Sequence, residues 1–284
     1  MVKMEINNNA HPLISVIMGI YNCEETLPEA LESIQKQSIH NWELILCDDG
    51  SSDKTYDVAC RMRDSIRRNM GNRVIVMKNE LNKGLNYTLN RCLQQAHGTY
   101  IARMDGDDQC SEDRFEKELR IFQDDPSISI VSTDMELFDE NGVFGKVSHP
   151  SNPQKKDFLR GSPFCHAPCL VRREAMLSVG GYSDGKRLLR VEDYHLWIKL
   201  YAKGYRGFNI HEPLYMMRDD RNATNRRKYK YRLNEAYVIL YGVNALHLPA
   251  YDAIFALRPL LVGLLPTPIY TALHRRHLKK KSMH

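Results

Sequence analysis

Three short acidic clusters carry the chemistry this chain can offer: Asp48-Asp49-Gly50-Ser51-Ser52, Asp105-Gly106-Asp107-Asp108 and Glu192-Asp193. Carboxylates held this close repel one another unless a cation neutralises them. Hard oxygen ligands favour Mg²⁺ or Mn²⁺ over softer metals. Together the clusters make a site for a divalent cation and the phosphates it carries. Asn82-Lys83-Gly84, standing before a helical segment, adds a cation and a helix amino terminus, both suited to phosphate or ribose oxygens. The competing reading is local: Asp107 and Asp108 would cap a helix beginning near Asp113, and Ser51, Ser52 or Asp53 would be an N-cap.

The elements around the clusters decide between these readings. Apolar runs alternate with helix-period segments through the first half of the chain. Strands are expected at Leu13–Ile20, Trp42–Cys47, Val74–Met77 and Tyr100–Met104. Helices are expected near Thr26–Gln37 and Thr55–Met70 and after Gly84, the last with Leu85, Leu89, Leu93 and Ala96 inward. This βαβαβαβ order implies an α/β fold with a Rossmann-like, mainly parallel, right-handed sheet and helices on both faces. Two of the acidic clusters then emerge at the carboxyl edge of that sheet, where open α/β sheets bind ligands. Past Pro126 the runs shorten to Ile128–Val131 and Met135–Phe138, with an Asn141-Gly142 hairpin turn, and mixed strands are expected to extend the sheet. Pro163–Arg172 reads as a further strand and Val191–Ala202 as a helix with Glu192-Asp193 in its first turn.

Composition narrows the function classes. The chain has 284 residues, 43% of them hydrophobic, enough for a core in one large domain or two small ones. Its seven cysteines are scattered without C-x2-C pairs, which suits reduced thiols in a cytosolic protein. Cys165, His166 and Cys169 lie close together, but no second ligand pair stands near them, so burial is the expected role and zinc is not. No G-x-G-x-x-G follows the first strand, no G-x-x-x-x-G-K-[ST] occurs, and no G-x-S-x-G elbow is present. Dinucleotide dehydrogenases, P-loop enzymes and α/β-hydrolases are thereby disfavoured.

The ordered series Ser15–Asn22, Asp48–Asp53, Asn82-Lys83-Gly84, Ala102–Asp108, Gly180-Gly181-Tyr182 and Glu192–Trp197 resembles the family 2 glycosyltransferases, over roughly residues 13–218. The resemblance implies a GT-A fold and an inverting, metal-dependent hexosyl transfer from a nucleoside-diphosphate sugar, a UDP sugar by preference. It places Tyr21, Asn22 and Asp49 at the nucleobase, Lys83 at the nucleoside, Asp105 near the ribose or metal, and Asp107 as principal ligand of Mg²⁺ or Mn²⁺. It makes Asp193 the catalytic base, with Glu192 holding the acceptor or the loop. Such a transfer needs a cation on the leaving diphosphate and a carboxylate to take the acceptor's proton. The chain departs from the family in Gly106, where alanine is usual, and in Arg218-Asp219-Asp220-Arg221, where a histidine often stands; Arg218 or Arg221 is expected to supply the positive charge instead. The rival readings are a sugar-phosphate nucleotidyltransferase, whose Gly-rich basic loop after the first strand is missing here, and a non-catalytic nucleotide-sugar-binding protein.

The chain divides into a catalytic domain over 1–218 and a basic, helical C-terminal region over 219–284. From Arg218 onward there are 13 Lys/Arg against 4 Asp/Glu, while the preceding residues sum to −4. An uncharged Pro259–Leu273 stretch, too short to span a bilayer, precedes Arg275, Arg276, Lys279, Lys280 and Lys281. An apolar segment beside a basic cluster suits an interfacial helix on an anionic inner leaflet; the competing reading is a helix packed on the catalytic domain with a solvated end. The expected partners are therefore a nucleotide-sugar donor, a glycan or lipid-linked saccharide acceptor and that membrane surface. Nucleic acid is not expected, because the acidic body would repel it. Location follows as cytoplasmic and peripheral to the inner face of the cell membrane, in surface polysaccharide assembly.

Overall fold

A computed structural model describes residues 11–219 and 228–266. Its first strand, β1 (Ile14–Ile20), is apolar on nearly every residue because it is covered on both sides. Ile14, Val16, Met18 and Ile20 pack under α1 (Leu27–Gln35), α2 (Thr55–Met70) and α4 (Arg114–Asp124). Ile17 points to the opposite face, toward α3 (Leu85–Gln95) and the helix α6 (Glu192–Ala202). Flanking strands β2 (Trp42–Asp48) and β4 (Tyr100–Arg103) pair with β1 in parallel, and β3 (Val74–Lys78) pairs in parallel with β2. The order β3-β2-β1-β4 puts a change of winding direction between β1 and β4, the position at which such sheets open a crevice.

Beyond β4 the sheet becomes mixed. The order continues through β8 (Leu170–Arg172), β6 (Ile128–Asp139), β9 (Arg206–Arg218) and β5 (Gln109–Cys110), with β7 (Gly142–Val147) paired to β6. Two expectations need correction here. Ile128–Val131 and Met135–Phe138 are one twelve-residue strand, not two. The polar residues between them are buried and held by partners: Ser132 donates to Cys165 O, Thr133 to Asp134 O, and Asp134 pairs with Lys146 at 2.9 Å, so the strand runs through them. Conversely, Pro163–Arg172 is strand only over its last three residues, because Pro163 and Pro168 cannot donate to a ladder and Cys169 N–H closes a turn onto His166 O.

α6 is apolar almost all round because it is covered almost all round. Tyr194, Leu196, Trp197, Ile198, Leu200 and Tyr201 are buried between the aromatic rings of Phe158 and Phe164 and helix α7 (Tyr229–Ala245). α7 brings Ala236, Val238, Ile239 and Val243 into the same core, and a 3₁₀ segment (Ala250–Ala256) with α8 (Leu257–Gly263) folds back on it. A short helix α5 (Arg173–Ser178) follows β8. Cys165 and Cys169 are buried core residues, and His166 is occupied by a 2.8 Å hydrogen bond with the Tyr182 hydroxyl.

Candidate active site

The turn after β2 is held by its own carboxylates. Asp49 N–H donates to Ile20 O at 2.8 Å, which locks the ends of β1 and β2 side by side. Its carboxylate accepts from the Asn79 amide at 2.7 Å and from the backbone N–H groups of Lys83 at 2.8 Å and Gly84 at 2.9 Å, so it fixes the loop that carries Lys83. Gly50 lies at φ +73° with the backbone of Leu81 and Asn82 against its Cα; a Cβ there would meet atoms of both at 2.8 Å. Asn22, at φ +47°, accepts from Ser52 N–H at 2.9 Å, tying the β1 turn to the same assembly.

The turn after β4 leaves its charge open. Asp108 is the buried member: Tyr215 donates to it at 2.9 Å and Arg218 N–H at 2.8 Å, anchoring β9 beneath the turn. Neither Asp107 nor Asp108 caps α4, whose N-cap is Asp113 without a side-chain cap. Asp105 receives both of its hydrogen bonds from the buried Arg103 guanidinium, at 2.6 and 2.8 Å. Asp107 is exposed, yet the protein around it partly desolvates its carboxyl, and that desolvation, followed by the Asp105 charge, pushes its pKa up. An exposed carboxylate raised by desolvation and by a neighbouring carboxylate fits a divalent cation. Among the described residues no group of three or more His, Cys, Asp and Glu side chains could hold a metal ion. Asp107, with Asp105 beside it, would therefore hold Mg²⁺ or Mn²⁺ together with phosphate oxygens and water, as Mg²⁺ is commonly held.

Glu192 and Asp193 occupy the first turn of α6, where carboxylates are favoured by the helix dipole. Burial raises the Asp193 carboxyl to about 6, with the adjacent Glu192 charge adding to it and the Arg103 charge opposing. Asp105 and Asp193 thus lie in the field of one buried cation. Glu192 Oε2 is buried without a hydrogen-bond partner, a group free to meet a ligand hydroxyl.

Two cavities open at this edge. One, of ≈ 700 Å³, is lined by Tyr21, Asn22, Cys23, Asp53, Asp105, Asp107 and Arg218 among others. The other, of ≈ 640 Å³, is lined by Tyr21, Asp49, Lys83, Lys186, Leu189 and Glu192 among others. The structure therefore gathers seven of the eight sequence-predicted site residues around two adjoining cavities, while Asp193 lines neither. Cys23 is no nucleophile, since burial pushes its thiol up to about 12. Arg221 falls outside the described residues, and Arg218 does stand at the first cavity. Sequence reasoning missed Arg103, Tyr215 and Arg190, which lines both cavities. Arg103 sits inside the Ala102–Asp108 motif and Arg190 two residues before Glu192, so proximity to the motifs was a usable signal for these two; Tyr215, over a hundred residues from Asp105, gave none.

A parallel sheet whose carboxyl edge joins paired cavities, an open aspartate and a helix-borne carboxylate pair defines a GT-A-fold glycosyltransferase. The model of the family described as "Glycosyl transferase family 2" matches residues 15–180. EpsE of Bacillus subtilis (strain 168) is 39% identical over 270 residues, 95% of this chain and 96% of that protein. The Escherichia coli UDP-Gal:alpha-D-GlcNAc-diphosphoundecaprenol beta-1,3-galactosyltransferase is 30% identical, covering 95% of this chain and 98% of its own length. S. aureus TarS 1-349, solved in complex with UDP-GlcNAc, shares the fold at a TM-score of 0.66 and 20% identity, over 88% of this chain and 72% of that one. The chain belongs to glycosyl transferase family 2, and it is a glycosyltransferase.

Proposed function

We propose that the protein moves a sugar from a UDP-type donor to a glycan or lipid-linked saccharide, with inversion at the anomeric carbon, in the assembly of a surface polysaccharide. The observation that carries this reading is the pairing of an open, raised Asp107 with the Glu192-Asp193 turn, both at the carboxyl edge of one sheet. Supporting it, the E. coli relative is named for a UDP-sugar donor and a diphosphoundecaprenol-linked acceptor. Tyr21, Asn22, Asp49 and Lys83 would receive the nucleoside, and Asp105 the ribose. A divalent cation held by Asp107 and Asp105 would neutralise charge on the leaving diphosphate. Glu192 would orient the acceptor hydroxyl, and Asp193 would take its proton as the oxygen attacks the anomeric carbon. The bond from that carbon to the diphosphate oxygen breaks with its electron pair remaining on the phosphate side. A single displacement of this kind inverts configuration and needs no nucleophilic carboxylate.

Asp193→Asn tests the assignment. It is expected to keep UDP affinity while lowering turnover at least ~100-fold, the low end of what a general base contributes. The base must be ionised, so kcat/KM of the unsubstituted enzyme should fall as pH drops below about 6 and level off above it. Near-normal turnover in Asp193→Asn, with loss of turnover in Glu192→Gln, would move the base to the side chain that lines the cavity.

The catalytic domain over 1–218 and the region from 219 onward would act together at a membrane surface. Among the described residues no helix is long and apolar enough to cross a membrane. α7 and the segments after it nevertheless expose Leu233, Leu240, Ile254, Leu257, Leu261 and Leu264, and the sequence beyond carries Arg275, Arg276, Lys279, Lys280 and Lys281. Exposed apolar side chains followed in sequence by a basic cluster suit an anionic, cytoplasmic leaflet. The substitution set Leu257→Ser, Leu261→Ser and Leu264→Ser is preferable to truncation at 253, because Ala256 is buried in the core. It should reduce sedimentation with anionic vesicles and leave donor hydrolysis intact; equal sedimentation of the two proteins would sink the membrane reading.

A further inference from the structure

The two cavities share four lining residues, Gly19, Tyr21, Leu85 and Arg190, and Arg190 is the only one of these that carries charge. Its side chain is exposed, and its guanidinium makes no hydrogen bond or ion pair with any described residue. The cation across the first cavity is committed elsewhere. Arg218 donates to Glu29 and to Asp107 O, each at 3.2 Å, and its guanidinium lies 4.7 Å from the Phe138 ring centre. Lys83 and Lys186 line the second cavity and not the first.

Arg190 also occupies an unusual backbone position, φ +70°, which costs a residue with a Cβ roughly 1 kcal/mol or more. Glycine or asparagine would relieve that cost. The flanking segment holds the conformation from both sides: Leu188 N–H donates to Gly185 O at 2.9 Å, and Val191 N–H to Leu188 O at 3.1 Å. From α7, Asn234 donates to Leu189 O at 2.9 Å, and Tyr237 carries the Arg187 guanidinium 5.4 Å from its ring centre. A long cation is thus presented at the junction of the cavities on an anchored, strained backbone.

The first cavity needs such a cation. Glu24, Glu25, Asp53, Asp105 and Asp107 all line it, and a diphosphate entering it would be repelled by their summed charge. Resting on the nucleotide-sugar reading above, we infer that Arg190 is a diphosphate clamp, binding the phosphates of a nucleotide that spans the two cavities and stabilising them as the sugar departs. The charge it meets grows during the reaction. As the anomeric C–O bond breaks, its electron pair stays on the β-phosphate oxygen, while the acceptor oxygen bonds the same carbon and passes its proton to Asp193. A planar guanidinium can answer that charge with two parallel N–H donors.

Calorimetric titration with UDP and with uridine, both in Mg²⁺, separates the clamp from its alternatives. Arg190→Ala and Arg190→Gly should each weaken UDP binding about 10- to 100-fold, the range of a charge-assisted hydrogen bond, and leave uridine affinity unchanged. Arg190→Lys should keep part of the difference. Arg190→Gly accepts the left-handed backbone, so its melting temperature should not fall, and its loss of UDP affinity reports the guanidinium alone. Unchanged UDP affinity in Arg190→Gly, or an equal loss for uridine, would overturn the clamp. Failure of the unsubstituted protein to bind either probe would instead overturn the nucleotide-sugar reading, and the clamp with it.

Discussion

The turns after β2 and β4 contain nearly the same residues at the same sheet edge, aspartates beside a glycine, and use them oppositely. In the first, the Asp49 carboxylate is consumed by three N–H donors and Asp48 accepts from Ser51 N–H at 3.3 Å, so negative charge is converted into loop geometry. In the second, Asp108 does that structural work while Asp107 is left exposed and raised by its surroundings. Asp49, clasped by donors of its neighbouring loop, sets the geometry of that loop, whereas the exposed Asp107 is available to a ligand. Acidic residue type and strand-end position alone do not separate these roles.

Crossed substitutions give the sharpest break between the two turns. Asp107→Asn is expected to abolish Mn²⁺-dependent UDP binding, at least ~100-fold, because a neutral amide replaces the charged carboxylate that would hold the cation. Its effect on the metal-free fold should have the opposite sign. The folded-state pKa of Asp107 lies above its unfolded value, so the ionised group destabilises the fold at neutral pH, and that penalty vanishes below the ordinary carboxylate range. Asp107→Asn should therefore melt at or above the temperature of the unsubstituted protein at neutral pH and lose that advantage in acid. Retained Mn²⁺-dependent UDP affinity in Asp107→Asn would remove the distinction between the turns.

Asp49→Ala is expected to behave the other way, costing stability first. Three N–H groups lose a charged acceptor, two of them on the backbone of the loop that carries Lys83, which amounts to about 3 kcal/mol or more. Nucleoside affinity should fall as a consequence of the released loop, with the Mn²⁺ dependence of what binding remains preserved. Denaturant unfolding followed beside UDP titration checks both halves, and an unfolding midpoint unchanged by Asp49→Ala would show that the clasp is dispensable.

The parallel half of the sheet was legible because its signals are local. Each of β1 to β4 is an apolar run bounded by turn residues, and α2 begins at Thr55 and ends at Met70, as its periodicity indicates. The mixed half was not, because its strands are decided by partners distant in sequence. Ser132-Thr133-Asp134 interrupts the apolar pattern of β6 and stays in the strand through bonds to Cys165 and Lys146. The same distinction holds in the site. Asp105, Asp107 and Glu192 could be named from spacing, whereas Tyr215 reaches the Asp105 turn from β9 and could not. That Asp49 is clasped by Lys83 and Gly84 also depends on a pairing of loops that no short window contains.

The smallest effect is expected at Gly106, between Asp105 and the open Asp107. A Cβ there would meet Cys23 Sγ at 2.8 Å and Ile20 Cγ2 at 3.1 Å, so the volume that an alanine methyl would occupy is filled from the β1 turn by the Cys23 thiol. Gly106→Ala alone should cost on the order of 1 kcal/mol by overpacking, with a matching modest loss of Mn²⁺-dependent UDP affinity as Asp107 is displaced. Cys23→Ala alone should also destabilise, since it opens a void beside Gly106. The pair together should cost less than the sum, because the methyl and the thiol compete for one space, and a double-mutant cycle on unfolding free energy reads that coupling directly. Additive losses would mean that Cys23 and Gly106 do not constrain one another, and the tolerance of this turn for glycine would then need another cause.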